Sequence, residues 1–160
     1  MATDIFILID DIKGESQDTM HKDEIDVLSW SWGMSQTGNS HSGLGSGAGR
    51  VSVRDLTFMK YLDRASPTLA KFCCSGKHFA KATLTVRKAG GGGVEYLKIE
   101  LNDGVVSGVA VTAGVGNARF AENVSLNFAS FKCEYAPQLA SGLAGAVIPA
   151  QWNIPKNAAT

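Results

Sequence analysis

The sequence lacks an excess of charge of either sign. Fifteen lysine and arginine residues balance fifteen aspartate and glutamate residues among 160, so the formal net charge at pH 7 is zero. Proteins that bind nucleic acid usually carry a basic stripe that neutralises phosphates, and this chain has none. Nucleic acid is therefore not an expected partner. The weak overall field also permits copies of the chain to approach one another.

Long hydrophobic runs are missing as well. Near the N-terminus, only five consecutive apolar residues lie between Asp4 and Asp10, without a preceding basic segment or a following small-residue cleavage site. No run approaches the roughly 20 apolar residues that a membrane-spanning helix needs. We therefore expect the protein to be made in the cytoplasm and not to insert into a membrane. Any export would proceed without a cleaved signal peptide.

Cysteine is scarce. Cys73, Cys74 and Cys133 are odd in number and lack the spacing of metal ligands, and the histidines are scattered singly. Adjacent Cys73 and Cys74 could form only a strained bridge, so we expect buried, reduced thiols. The sequence predicts neither a disulfide framework nor a metal site.

Glycine, in contrast, is abundant, with 18 residues, and favours short strands joined by tight turns. One helix is predicted over residues 66–76, with Ser66 as N-cap, Pro67 in the first turn and Gly76 at the C-terminal end. Strands are predicted at residues 4–10, 25–36, 51–60, 82–88, 95–101, 105–112 and 122–135, with turns at 90–93 and 102–104. The chain should form one domain over residues 1–160, an all-β antiparallel β-barrel of two packed sheets with one flanking α-helix.

The strand predicted at residues 25–36 alternates between two kinds of face. The face predicted to be core consists of Leu28, Trp30, Trp32 and Met34. The other face consists of Ile25, Val27, Ser29, Ser31 and Gly33. Because the second face becomes small and polar, it should contact water or another subunit. Small polar residues also occur on the outward sides of other predicted strands, and together with Ser29 and Ser31 they would form a hydrophilic wall. They are Thr83, Thr85, Ser107, Ser125 and Asn127.

Two segments fall outside the strand pattern. Residues 37–50 form a glycine-rich extended loop, and loops of this length in compact domains are usually functional or disordered. Residues 137–160 form a C-terminal tail whose Trp152 and Ile154 require a partner surface. We expect that end to pack on its own barrel or on a neighbouring subunit.

The candidate chemical motifs all favour non-catalytic interpretations. Residues 43–48 match a loose dinucleotide fingerprint, but a strand follows where a helix N-terminus is needed. His21, beside Asp23 and Glu24, is interpreted as part of a solvated turn. Cys74 and His78 could meet at the helix end, yet nothing else supports a nucleophile pair. We therefore predict no enzyme activity and no cofactor.

Several segments, taken in order, carry a family resemblance. They are residues 11–16, 24–33, the glycine-rich loop up to 49, 69–78, 84–90, 95–97 and 122–129. Together they cover most of residues 4–136, and the sequences Ser-Trp-Ser-Trp-Gly and Asn-Val-Ser-Leu-Asn-Phe are specific. The chain resembles the haemolysin-coregulated protein (Hcp) family, the tube protein of the type VI secretion apparatus.

The resemblance implies a β-barrel with one helix, hexameric rings that stack into a tube, and a lumen that carries effector proteins. It also implies a spike protein and a contractile sheath as partners, and secretion from the bacterial cytoplasm. We hypothesise that Ser29 and Ser31 face the lumen. The loop residues predicted to reach a neighbouring subunit or ring are His41, Gly43, Leu44, Gly45 and Arg50.

The alternative is a monomeric β-sandwich that binds a ligand such as a carbohydrate. Such a module carries exposed aromatic residues beside polar groups. Trp30 and Trp32 share the face that is predicted to be core, which argues against it.

Overall fold

The computed structural model describes residues 2–38, 49–89 and 92–160. The strands are β1 (Thr3–Ile9), β2 (Ile25–Asp26), β3 (Ser29–Ser31), β4 (Met34–Ser35), β5 (Ser52–Val53), β6 (Leu56–Tyr61), β7 (His78–Lys88), β8 (Glu95–Thr112), β9 (Ala121–Tyr135) and β10 (Ile148–Asn153). The helix α1 covers Ala65–Ser75. The predicted all-β class with one flanking helix is confirmed.

The main sheet is antiparallel and curled. Its strands lie in the order β2-β1-β7-β8-β9-β6-β3, and β10 pairs with β9 beside β6. Strands β4 and β5 form a separate two-stranded ribbon. The long strands β8 and β9 pair from Leu97↔Tyr135 to Thr112↔Ala121, so they form the spine of the sheet.

Residues 25–31, the closing segment, connect the two borders of this sheet. The Val27 N–H donates to the carbonyl of Ile5 in β1 at 2.9 Å, whereas the Leu28 N–H donates to the carbonyl of Met59 in β6 at 2.8 Å. Strands β2 and β3 therefore pair with opposite borders. The curled sheet is closed into a barrel at this point.

The single strand predicted at residues 25–36 is wrong, because β2 and β3 within it pair with opposite borders of the sheet. Ile25 and Val27 are buried, whereas Leu28 and Met34 are exposed. The predicted core face is therefore wrong at both of its ends. The backbone changes pairing partner between Val27 and Leu28, and Met34 belongs to the separate β4–β5 ribbon. Trp30 and Trp32 do pack against the core, as predicted. The strand predicted at 51–60 is likewise divided, into β5 and β6.

The turn predicted at residues 102–104 is wrong. Strand β8 runs through it without interruption, with Asn102 paired to Ser130 and Gly104 paired to Phe128. Gly104 is needed for space, because a Cβ there would overlap the Phe79 ring and the carbonyl of Asn127. An Asp-Gly pair that resembles a turn signal therefore serves strand packing here.

Helix α1 begins one residue earlier than predicted and has a different cap. The Ala65 N–H donates to Asp63 Oδ1 at 2.9 Å, and the Asp63 N–H donates to Ser66 Oγ at 3.1 Å. This reciprocal pattern places Ser66 inside the first turn, not at the N-cap. The predicted end is confirmed, since Gly76 adopts the left-handed conformation with φ of 67° and donates to the Phe72 carbonyl.

A buried ion pair joins the helix start to the sheet. Lys60 in β6 and Glu122 in β9 are 0% and 1% exposed, and their charged atoms lie 2.5 Å apart. Lys60 Nζ also donates to Asp63 and Ser66, and the Ser66 hydroxyl donates to Glu122. Every charge is matched by a polar partner, which a buried ion pair requires.

The C-terminal tail packs on its own barrel. Strand β10 pairs with β9 from Ile148↔Tyr135 to Asn153↔Ser130. Trp152 and Ile154 are half-buried against the core. Of the two partners expected for this end, the structure shows the chain's own barrel.

Candidate functional site

The two serines predicted to face a lumen lie on β3 with their side chains exposed. Trp30 lies between them and packs against the core, so the alternation of a strand directs Ser29 and Ser31 outward. Ser31 pairs with Thr57 of β6 and Ser29 pairs with Met59. Both serines therefore lie on the outer surface of the barrel wall.

A row of hydroxyl groups continues from Ser31 across the neighbouring strands. Thr57 pairs with Ser125 of β9, and their side-chain oxygens lie 3.2 Å apart. Ser125 in turn pairs with Gly108, beside a bulge in β8 that contains Ser107. Small hydroxyls therefore extend over four adjacent strands.

Asp55 organises the end of this row. Ser107 Oγ donates to Asp55 Oδ2 at 2.6 Å, and Asn127 Nδ2 donates to Asp55 Oδ1 at 2.8 Å. These contacts tie the β5–β6 connection to β8 and β9. We call the whole surface the polar face: Ser29, Ser31, Asp55, Thr57, Ser107, Ser125 and Asn127.

The predicted wall is wrong at Thr85 on β7, which is only 3% exposed. Thr83 on the same strand is half-buried, as are Thr57 and Ser125 of the polar face. Sequence reasoning missed Thr57 and Asp55, which lie on the same surface. The alternation of Leu56, Phe58 and Lys60 on the buried side of β6 was the available signal for Thr57.

The predicted loop residues His41, Gly43, Leu44 and Gly45 lie outside the described residues. Arg50, at the base of the loop, donates from Nη2 to the carbonyls of Ile154 and Pro155 at 3.0 and 3.2 Å. The other side of the base is the β4–β5 ribbon, in which Met34 pairs with Val53. The base of the loop is thus tied to the C-terminal tail.

An apolar groove of about 470 Å³ lies between the ribbon and β10. Phe131 and Cys133 of β9 line it together with Trp32 and Trp152. Large apolar side chains are exposed elsewhere on the tail, including Leu143 and Ile148 at 67% and 63%. The barrel therefore presents apolar surface away from its polar face.

Among the described residues, Cys74 and His78 do not form the pair that the sequence allowed. His78 Nδ1 lies 3.0 Å from Asp103 Oδ1, and both side chains are largely exposed. Its partner is therefore Asp103, not Cys74 as the sequence allowed. All three cysteines are free, but the predicted burial is wrong for Cys74, which is exposed, and only partly met by Cys73 and Cys133, which are half-buried. Burial raises the pKa of the Cys133 thiol, which disfavours the reactive thiolate.

His21 is also placed differently from its prediction. It is 7% exposed, stacks on Phe6, and contacts Glu24 and Glu95. The solvated turn proposed for it is therefore wrong. Asp23 instead pairs with Arg64 at 2.9 Å.

Comparison with known proteins gives consistent matches over the whole chain. The family model described as "Type VI secretion system effector, Hcp" matches residues 6–135. Protein hcp1 of Pseudomonas aeruginosa is 52% identical over 159 residues, with 98% of each chain covered.

Solved structures agree with this match. The crystal structure of Hcp1 from Salmonella typhimurium has a TM-score of 0.84 and 42% identity, with 100% of both chains covered. A structure described as a type six secretion system protein has a TM-score of 0.93 and 29% identity, covering 99% of this chain and 100% of that one.

The closed antiparallel barrel with its flanking helix is thus the fold of a class of type VI secretion proteins. The chain belongs to the Hcp family within that class. This is a structural secretion family and not an enzyme family. No helix among the described residues is long and apolar enough to cross a membrane.

Proposed function

We propose that this protein is the building block of a type VI secretion tube, in which six copies close into a ring and rings stack. The tube would be propelled within a contractile sheath beneath a spike protein, and its lumen would carry effector proteins. Family membership supports this role. The observation that carries it is the polar face, a continuous row of hydroxyl groups across four strands.

The distribution of surfaces favours a ring. A head-to-tail interface closes into a ring when its rotation divides a full turn, which leaves one side of every subunit on the inner wall. We assign the polar face to that inner side. Exposed apolar residues such as Leu143 and Ile148 would be covered by other copies, because burial of apolar area stabilises association.

The chemistry of the polar face fits a conduit. A hydroxyl group both donates and accepts hydrogen bonds, so Ser31 and Thr57 can pair with many polypeptide surfaces. Each such bond exchanges for one with water and contributes only about 1 kcal/mol. Ser29 and Ser31 would therefore contact cargo without holding it tightly.

The glycine-rich loop is proposed to contact a neighbouring subunit or ring. Arg50 fixes one end of its base to the carbonyls of Ile154 and Pro155. The pairing of Met34 with Val53 in the ribbon holds the two ends of the loop together. Residues 37–50 would thus extend from a firmly held base toward another copy, where glycine permits close backbone approach.

The rival proposal is a monomeric carbohydrate-binding module. A sugar-binding surface usually presents an aromatic ring beside polar groups. Trp30, Trp32 and Trp152 are instead half-buried against the core. The aromatic side chains therefore favour the tube over the sugar-binding module.

The oligomeric state tests the proposal directly. Sedimentation of the purified chain over a range of concentrations should show a species about six times the 16.9 kDa monomer. Negative-stain images should show rings with a central opening. A monomer at every concentration, with no rings in the images, would contradict the proposal and favour the binding module.

The lumen assignment is tested at Ser31. Ser31→Glu adds a charged side chain to the polar face, and we expect rings to form while binding of a co-expressed effector of the same secretion system falls at least about tenfold. Ser75→Glu places the same change on an exposed residue of α1 and should leave effector binding unchanged. Equal effector binding by both variants would show that Ser31 does not face the cargo.

A further inference from the structure

His21 is enclosed where the connection that follows β1 meets the start of β8. The imidazole stacks on the Phe6 ring, with centroids 4.3 Å apart and planes inclined by 10°. Its Nδ1 lies 3.0 Å from Glu24 Oε2, and its Nε2 lies 2.8 Å from Glu95 Oε1. Both ring nitrogens thus face carboxylates, one from its own connection and one from β8.

The two contacts set a condition on the protons of the ring. A neutral imidazole has one N–H and one bare nitrogen, whereas an ionised carboxylate only accepts hydrogen bonds. With a neutral ring, one nitrogen lone pair would face a carboxylate lone pair in a largely buried site, and that arrangement is costly. Both contacts are hydrogen bonds when the ring carries two protons.

Other charged side chains lie close to these contacts. Glu24 and Glu95 contact the ring nitrogens of His21, and Asp18 accepts from its backbone N–H. Two cations pair with these acids, Arg87 with Asp18 and Lys98 with Glu95. The Arg87 guanidinium lies 5.2 Å from the centroid of Phe6, the ring on which His21 stacks.

We propose that His21 is a proton-dependent latch between residues 10–24 and β8. As an imidazolium it bridges Glu24 and Glu95 and holds the connection against the sheet. Loss of one proton breaks one of the two bridges. The connection keeps its internal bonds, such as that from the Ser16 N–H to the Glu24 carbonyl at 3.0 Å, but its attachment to β8 is weakened.

The protonation state can be read directly from the full-length protein. In a sample labelled with ¹⁵N-histidine, both ring nitrogens of His21 should give imidazolium shifts at about pH 6.5, and a His78→Gln variant assists the assignment. A shift typical of a bare nitrogen for either atom at that pH would overturn the proposal.

The mechanical consequence is tested by hydrogen exchange. After correction for intrinsic rates, exchange in residues 14–24 should accelerate on the order of tenfold between about pH 6 and pH 9 in the wild type. Glu95→Gln should show a much smaller change, because the amide introduced by this substitution can donate to a bare ring nitrogen. The pH dependence in His78→Gln should match the wild type, since the exposed side chain of that histidine has Asp103 as its only hydrogen-bond partner among the described residues.

Two results would overturn the latch. One is a wild-type exchange profile that stays flat over this pH range. The other is an equal acceleration in Glu95→Gln, which would show that the rise does not originate at the Glu95 bridge.

Discussion

At the scale of single residues, Lys60 shows how this small barrel tolerates buried charge. Lys60 is 0% exposed, and its ammonium has four oxygen partners, from Tyr61, Asp63, Ser66 and Glu122. Together these partners connect β6, β9 and the start of α1. The ion pair therefore specifies how the helix is attached to the sheet.

Lys60→Met should lower the free energy of unfolding by about 3–5 kcal/mol, because it leaves Glu122 buried without its counter-charge. The double variant Lys60→Met with Glu122→Met should recover a large part of that loss. Denaturant unfolding of both variants measures the difference. A double variant that is less stable than the single one would show that the Glu122 carboxylate is satisfied without Lys60.

The ion pair of Asp18 with Arg87 predicts how the stability of the protein changes at low pH. The side-chain hydrogen bonds from Arg87 lower the pKa of Asp18 from 3.8 to about 2. Because the folded-state pKa is the lower one, this contribution to stability is complete above 3.8 and is lost as the pH falls toward 2. The stability difference between wild type and Asp18→Asn should therefore shrink over that interval.

Unfolding curves at neutral pH and at about pH 3 measure this change. The Glu15→Asn variant is a control, since Glu15 is exposed and has no side-chain ion pair among the described residues. A difference between wild type and Asp18→Asn that stays constant with pH would contradict the role of Arg87.

At the scale of elements, β8 shows what sequence patterns reveal and what they miss. The alternation over residues 95–101 and 105–112 predicted two strands correctly in type, but the Asp-Gly signal divided them. Asp103 has a positive φ of 51°, so the local preference for turn geometry is real. Pairing with both β7 and β9 extends the strand through that point, and this tertiary constraint is not visible in the local sequence.

The two glycines of β8 offer a matched pair of substitutions. Gly104→Ala should destabilise the protein by about 1–3 kcal/mol, because the new methyl group overlaps the Phe79 ring and the Asn127 carbonyl. Gly108→Ala should cost much less, since its Cβ would meet only Ser125 at an ordinary contact distance of 3.6 Å. Equal losses in thermal or denaturant unfolding would contradict this packing argument.

The helix and the candidate site were predictable to different degrees. Gly76 marked the end of α1 because a left-handed C-terminal residue has a strong local signature. Ser29 and Ser31 were correctly predicted on the outward side of β3 from alternation alone. Asp55 was missed because it lies in a connection, and its contacts with Ser107 and Asn127 join residues far apart in the sequence.

At the scale of the whole molecule, the proposed assembly can be tested by shortening the glycine-rich loop. Deleting residues 43–47 should weaken ring closure or stacking, because the proposed contact with a neighbouring copy is lost. The far-ultraviolet circular dichroism spectrum should be retained, since β4, β5 and the Arg50 contact lie outside the deletion. Unchanged rings and stacks in electron micrographs would show that the loop has another task.

The closing segment has a consequence for how the subunit responds to force. Val27 and Leu28 are neighbours in the chain but are held by opposite borders of the sheet, through Ile5 and Met59. Neither border can peel away without pulling on the other, so the barrel should open as one cooperative unit. A particle built from such subunits would distribute a pushing load around each barrel wall, which suits an object that must keep its shape while it is driven forward.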